Sequence, residues 1–319
     1  MQQAQYQLII VGGGPAGLTA GLYAARDRLK VLLVEKGATG GQVLATDWVD
    51  NYPGFIEGLS GFDLMDKMAA HADRFGLAKK SATIASLDLA GEIKSITLEN
   101  GEVLTATTVI LCTGARPRKL DIPGEYEFTG RGVSFCATCD GPFYRNQNIA
   151  VVGGGNTAIQ DGLHLTKFAQ KVTIIHRRGE LRASKILQEK AFANPKIDFI
   201  WNTEVLEVRG DKHGVDGLLL RDHHGDEALL KVTGLFVLIG ITPNNELLLA
   251  NSLQTDKGGF VITDEEMATS IPGVFAAGDI RSKRSRQIIN AAGEGAVAEL
   301  SVEHYLGNKA PDNSHNRSE

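Results

Sequence analysis

Two stretches of the chain repeat one order of apolar and polar positions. In the first, Gln7 to Val11 ("QLIIV") is a short apolar run that stops at glycines, which predicts a buried strand. A turn of three glycines follows, and then a segment of small apolar residues, "PAGLTAGLYAAR", that predicts a helix. The run "KVLLVEK" predicts the next strand, ending at Glu35. The second stretch repeats the order with "NIAVV", "GGGN", a helical segment "TAIQDGLHL" and a strand "KVTIIHRR". Strands alternating with helices predict an α/β fold made of two Rossmann-like dinucleotide-binding domains. Two more apolar runs, in "ATTVILCTGARP" (106 to 117) and "TSIPGVFAAGDI" (269 to 280), predict strands that return to the first nucleotide fold.

The glycine spacing gives each repeat a chemistry. Gly12-x-Gly14-x-x-Gly17 lies between strand and helix, where glycines permit a tight turn and let the backbone approach a pyrophosphate at the helix N-terminus. Glu35 then stands where a carboxylate accepts hydrogen bonds from a ribose 2′-hydroxyl and repels a 2′-phosphate. In the second repeat, Gly153-x-Gly155-x-x-Ala158 precedes a strand that ends in cations. Arg177, Arg178, Arg182 and Lys185 stand against Glu180 in "HRRGELRASK", and guanidinium groups suit a 2′-phosphate. One fold therefore expects FAD and the other NADPH. The second reads as an insertion into the first, with an FAD-binding domain of residues 1–117 and 246–319 and an NADPH-binding domain of 118–245. "ARPRKLDIPG" and "GITPNNE" are the candidate linkers.

Composition narrows the class. The chain has 319 residues, 43% hydrophobic and 22% charged, which is ordinary for a globular protein with more than one core. A formal charge of -5 argues against nucleic-acid binding. The apolar stretch from Leu8 to Ala25 is broken by glycines and Pro15 and has no Lys or Arg before it, so it reads neither as a membrane span nor as a signal peptide. A cytoplasmic protein is expected, and its polar end "NKAPDNSHNRSE" should fray. Two of the three cysteines, Cys136 and Cys139, form a C-x-x-C. A structural zinc needs further ligands, and neither a second C-x-x-C nor an H-x-x-x-H is present, so no metal is expected. Stable structural disulfides are rare in the cytosol, which leaves redox chemistry. Cys112 ends the apolar strand "TVILC" and reads as core. His71, His164 and His304 fall in helical stretches and His223-His224 in a hairpin turn; only His176, beside the arginines, is a candidate for a site.

The motifs in order are GGGPAG at 12 to 17, GGQ at 40 to 42, "NYPGF" at 51 to 55, TGA at 113 to 115, CATC at 136 to 139 followed by Asp140, GGGNTA at 153 to 158, HRR with Arg182, GD at 278 to 279 and "RQIINAAGEG" at 286 to 295. With them the chain resembles the low-molecular-weight, bacterial-type thioredoxin reductases over nearly its whole length. The resemblance implies a homodimer that moves electrons from NADPH through FAD and a Cys136/Cys139 disulfide to oxidised thioredoxin. It places Pro15 and Ala16 with the first glycines, and Gly41, Gln42, Asn51, Thr113, Gly114, Gly278, Asp279, Arg286, Gln287 and Ile288 around FAD. It places Asn156 and Thr157 with NADPH. It implies that Cys139 takes electrons from the flavin, that Cys136 attacks the partner, and that Asp140 is the general acid/base. Asp140 also reads as a turn residue in "CDGP". One departure is Gln160-Asp161-Gly162, where the family commonly has Glu-Glu-Ala. The alternative is a flavin-dependent NAD(P)H reductase of another thioredoxin-like or dithiol partner. The related ferredoxin–NADP reductases lack the cysteine pair, the flavoproteins that reduce peroxiredoxin add an N-terminal module, and a nucleotide-sensing binding protein would not turn over.

Overall fold

The computed structural model describes residues 4–46 and 48–309, so the polar tail lies outside it from position 310. The first elements are Tyr6–Val11 (β1), Pro15–Arg26 (α1), Val31–Glu35 (β2), Gly61–Arg74 (α2), Ala78–Ser81 (β3), Ile84–Asp88 (β4), Lys94–Leu98 (β5) and Val103–Leu111 (β6). Next come Ala115–Pro117 (β7), Val133–Ser134 (β8), Ala137–Asp140 (α3), Asn148–Val152 (β9), Asn156–Leu165 (α4), Lys171–His176 (β10) and Lys185–Phe192 (α5). Ile197–Trp201 (β11), Thr203–Asp211 (β12), Gly214–Asp222 (β13), Glu227–Leu230 (β14) and Gly234–Val237 (β15) follow. Ile241–Pro243 (β16), Val274–Ala276 (β17) and Ile288–Lys309 (α6) complete the order. The chain divides into two compact units, Met1–Arg116 with Thr242–Glu319, and Pro117–Ile241.

In the first unit the sheet runs β3-β2-β1-β6-β5-β4. The pairs from β3 to β6 are parallel, and β5 and β4 extend the sheet antiparallel. The long strand β6 serves two partners along one edge: Val103–Ala106 pairs with β5, and Val109–Leu111 pairs in parallel with β17. The continuous apolar run of β1 follows from burial on both faces. Leu8 and Ile10 join a core with Leu18 and Ala24 of α1 and Ala298 and Val302 of α6. Ile9 and Val11 point the other way, into a core with Ile96, Leu98 and Val261. Each such Leu, Ile or Val side chain contributes about 1.5–3 kcal/mol on burial. A glycine of α6 lets that helix lie directly on α1, since a Cβ on Gly295 would collide with the Ala16 carbonyl.

In the second unit β11-β10-β9-β15-β8 form a parallel sheet. One face packs α4 and α5 through Ile149, Ile174, Ala158, Ile159 and Ala191. The other packs the antiparallel meander β12-β13-β14 through Ile175, Leu235, Val205 and Leu218. His223-His224 occupy the turn between β13 and β14, closed by Asp222 Oδ1 accepting from the His224 and Asp226 amides at 2.8 and 3.0 Å. His71, His164 and His304 lie on α2, α4 and α6. Among the described residues no helix is long and apolar enough to cross a membrane.

Candidate active site

The first glycine turn is shaped partly by the protein's own packing. Gly12 has φ +105°, and a Cβ there would collide with the Cys112 carbonyl oxygen. A Cβ on Gly17 would collide with the carbonyl oxygen of Gly12. Gly14 is different, because nothing lies within 4 Å of a Cβ built on it. The space stands at the N-terminus of α1, which opens with Pro15. There the unpaired amides and the helix dipole favour an anion. A pyrophosphate fits this cradle.

Four distant segments come to the same turn. The Gly40 amide donates to the Gly13 carbonyl at 2.8 Å, and a Cβ on Gly41 would lie 3.4 Å from the Gly14 Cα, with Gln42 next and exposed. Glu35 Oε2 accepts from the Gly13 amide at 2.7 Å and Oε1 from the Gly37 amide at 3.2 Å. Thr113 and Gly114 follow Cys112, whose carbonyl backs Gly12. A Cβ on Gly278 would sit 3.0 Å from the Ala16 Cβ, so Asp279 is beside the first turn of α1. Among the described residues, the Thr113 Oγ1 and Asp279 Oδ1 atoms are buried without a hydrogen-bond partner. Lys283 Nζ is 3.4 Å from Asp279 Oδ1 as an ion pair. Burial pushes the Asp279 carboxyl up, opposed by Lys283 and Arg286. The unpartnered Thr113 Oγ1 and the loosely paired Asp279 Oδ1 fit a hydroxyl-bearing ligand.

The loop around Asp279 has a clamp that sequence reasoning missed. Glu294 on α6 accepts from the Gly278 amide at 2.8 Å and pairs with Arg281 at 3.0 Å and Lys283 at 3.1 Å. Its only signal was an acid in the otherwise small-residue "AAGEG". Arg286 stacks 4.3 Å over the Phe260 ring and donates to the carbonyls of Lys283 and Arg281 at 3.0 and 3.3 Å. Gln287 Oε1 accepts from Asn51 Nδ2 at 3.3 Å. Ile288 packs beside them on Val49, Leu59 and Leu64. Buried Cys112 has its thiol pushed up by burial and by the Glu294 charge, so it stays protonated and inert.

The second glycine turn repeats the plan with other neighbours. Gly155 also has nothing within 4 Å of a Cβ, leaving the N-terminus of α4 open. A Cβ on Gly154 would collide with the His176 ring. His176 is thus beneath the turn, buried, with Nε2 unpartnered among the described residues. Burial first, then the nearby Arg182, Arg178 and Arg177 charges, push its pKa down. The turn is tied to the loop after β10 twice: the Arg182 amide donates to the Gly154 carbonyl at 2.8 Å, and Asn156 Oδ1 accepts from the Ser184 amide at 2.8 Å. Thr157 is exposed in the first turn of α4, near Gly153 and Gly155 in the chain. Arg177, Arg178 and Arg182 are exposed, and none has a side-chain partner among the described residues. Unpaired guanidinium groups beside an open helix N-terminus fit a dinucleotide with an extra phosphate.

Cys136 and Cys139 are joined by a disulfide, their Cα atoms 5.3 Å apart. The pair spans the start of α3, and both residues are half-buried. "CDGP" is a junction of helices, Asp140 closing α3 and Gly141–Tyr144 forming a 3₁₀ turn. Ser134, which the sequence reading did not single out, links the pair to Asp140. Its buried hydroxyl donates to Asp140 Oδ2 at 2.6 Å and accepts from the Cys136 amide at 3.1 Å. Burial and the Asp140 charge push the Tyr144 hydroxyl up to about 12, so it stays protonated. Burial pushes Asp161 on α4 up to about 6. Among the described residues no group of three or more His, Cys, Asp or Glu could hold a metal ion.

The comparisons with known proteins agree with this geometry. The chain matches the pyridine nucleotide-disulphide oxidoreductase family over residues 6–295. It is 45% identical to a thioredoxin reductase of Listeria monocytogenes over 302 residues, 94% of each chain. It is 47% identical to one from Streptomyces clavuligerus over 301 residues, 94% of this chain and 93% of that one. The crystal structure of thioredoxin reductase from Streptococcus pyogenes superposes with a TM-score of 0.92 at 44% identity, covering 96% of this chain and 100% of that one. The chain belongs to the pyridine nucleotide-disulphide oxidoreductase family, in its low-molecular-weight thioredoxin reductase branch.

Proposed function

We propose that this protein is a thioredoxin-disulfide reductase, taking electrons from NADPH and delivering them to oxidised thioredoxin. The family implies a flavin and a pyridine nucleotide. FAD suits the first unit because Glu35 already faces the glycine turn, and NADPH suits the second because Arg177, Arg178 and Arg182 have no side-chain partner among the described residues. When bound, the flavin would relay a hydride from the nicotinamide as two electrons for the disulfide.

Cys136 and Cys139 then act as a dithiol. Two electrons and two protons cleave their S–S bond. Asp140, held by Ser134, is the group that delivers a proton at this step. The Cys136 thiolate attacks one sulfur of the thioredoxin disulfide, forming a mixed disulfide and releasing the other sulfur as a thiolate. Cys139 next attacks the Cys136 Sγ, which frees reduced thioredoxin and restores the Cys136–Cys139 bond. The nicotinamide and the disulfide belong to one unit and the flavin to the other, and the disulfide must also meet a protein-sized substrate. The reading therefore includes rotation of the NADPH domain about linkers near Pro117 and Pro243. It also includes a cytoplasmic homodimer without nucleic-acid or membrane partners.

The observation that most supports this function is the Cys136–Cys139 disulfide followed by a hydrogen-bonded Asp140, within a unit that also has an open glycine turn. The purified protein should be yellow and should reduce a dithiobenzoate reporter with NADPH only when thioredoxin is added. Equal rates with and without thioredoxin would refute the assignment.

A further inference from the structure

We propose that Trp201 forms part of the adenine site of the nicotinamide dinucleotide, stacking its indole on the base. This rests on the NADPH reading of the second unit.

The argument starts from strand order. The sheet runs β11-β10-β9, and the three C-terminal ends lie along one edge. The pyrophosphate cradle follows β9, and the arginines that suit a 2′-phosphate follow β10. Adenine is bonded to the ribose carbon next to the one bearing the 2′-phosphate, so it lies within one sugar ring of the arginines. The direction from β9 to β10, continued by one strand, reaches the end of β11. Trp201 is the last residue of β11 and is the register partner of His176, the last residue of β10.

The next residue binds the two strand ends together. Asn202 has φ 52°, and its amide donates to the Arg178 carbonyl at 3.3 Å. Trp201 is therefore fixed next to the arginine loop. Its ring is stacked on Phe199, with centroids 5.0 Å apart and planes within 5°, and Phe192 lies 6.3 Å away. Trp201 remains only partly buried, so apolar surface is left at the sheet edge. A rigid, supported aromatic ring next to a phosphate-binding loop is suited to a purine, which any flat π-face attracts.

The test uses the flavin-loaded protein. Adenosine 2′,5′-bisphosphate reports the adenine half, and reduced nicotinamide mononucleotide reports the other half. Trp201→Leu keeps apolar volume and removes the ring. It should weaken adenosine 2′,5′-bisphosphate and NADPH together, roughly five- to a hundredfold in Kd. The affinity for the mononucleotide should not change. Trp201→Phe should recover most of the affinity. The chain has two tryptophans, so in Trp48→Phe the bisphosphate should alter the emission of Trp201 alone. Unchanged bisphosphate affinity in Trp201→Leu, or an equal loss for the mononucleotide, overturns the assignment and leaves the NADPH reading intact. A wild-type protein that fails to bind the bisphosphate overturns both.

Discussion

The two glycine turns are alike up to the end of their second strands. Each leaves one glycine, Gly14 or Gly155, with open space at a helix N-terminus. At the strand ends they part. Glu35 is folded back onto the Gly13 and Gly37 amides, whereas Arg177, Arg178 and Arg182 extend into solvent without partners among the described residues. The shared part can hold any pyrophosphate, because backbone amides recognise charge and not identity. In the proposed function, discrimination lies a strand further on, where a carboxylate that shapes its own turn would face one ribose and Arg177, Arg178 and Arg182 the other. The asymmetry continues beyond the nucleotides, since the second unit alone holds the bonded cysteine pair.

The largest test of this division is removal of the cysteines. Cys136→Ser and Cys139→Ser should each reduce thioredoxin turnover to background. NADPH should still bleach the flavin in both, because the disulfide accepts electrons after the flavin. Stopped-flow absorbance would separate the two steps, and a flavin that NADPH no longer bleaches in either variant would reverse the order of electron flow.

The next test exchanges the strand-end chemistry. Replacing Arg177 and Arg178 by alanine should raise the KM for NADPH roughly ten- to a hundredfold, since each charge-assisted hydrogen bond to the phosphate is worth about 1.5–3 kcal/mol. The KM for NADH should stay nearly constant, because NADH has no 2′-phosphate for these guanidinium groups to hold. Steady-state kinetics with both nucleotides checks it. A wild type that already uses NADH as well as NADPH contradicts the argument. On the other side of the comparison, Glu35→Ala should weaken flavin retention without changing the choice of nicotinamide nucleotide. Two backbone amides are deprived of a charged acceptor, at about 1.5–3 kcal/mol each before solvent replaces it. Flavin release on dilution or gel filtration measures the change.

What could be read from the sequence, and what could not, divides along the same physical line. Gly12, Gly14, Gly17 and Glu35 were legible because a strand, a turn and a helix are local patterns with fixed periods. The two sheets followed from continuous apolar strands, which only burial on both faces explains. Ser134 was not legible, because a serine two residues before a cysteine has many uses and only the folded distance to Asp140 selects one. Glu294 was missed for a related reason, since its partner Gly278 is sixteen residues away and the link exists only once α6 lies on α1. The double pairing of β6 is also invisible in sequence, where a nine-residue strand does not reveal that its two halves serve different neighbours.

The smallest effects distinguish the units by pH. Each unit has a carboxylate raised by burial without a protein partner among the described residues. In the first unit this is Glu299 on α6, 0% exposed, with both oxygens unpaired and its pKa pushed up to about 7 by burial, then by the Asp27 and Glu303 charges. In the second it is Asp161 on α4, only half-buried and pushed up to about 6. In both, the folded protein holds a proton that the unfolded chain releases near the ordinary carboxylate range. Stability therefore falls as pH rises through that range and levels off above the folded pKa. Glu299→Gln keeps the shape and removes the charge, so it should stabilise the protein at pH 8 by about 2–3 kcal/mol and hardly at all at pH 4.5. Asp161→Asn should give the same sign above pH 6, but below about 1 kcal/mol, because solvent screens a half-exposed group. Denaturant unfolding of the flavin-loaded protein across pH 4.5 to 8 would read both. A larger gain from Asp161→Asn than from Glu299→Gln would mean that the second unit, and not the first, buries the costlier charge.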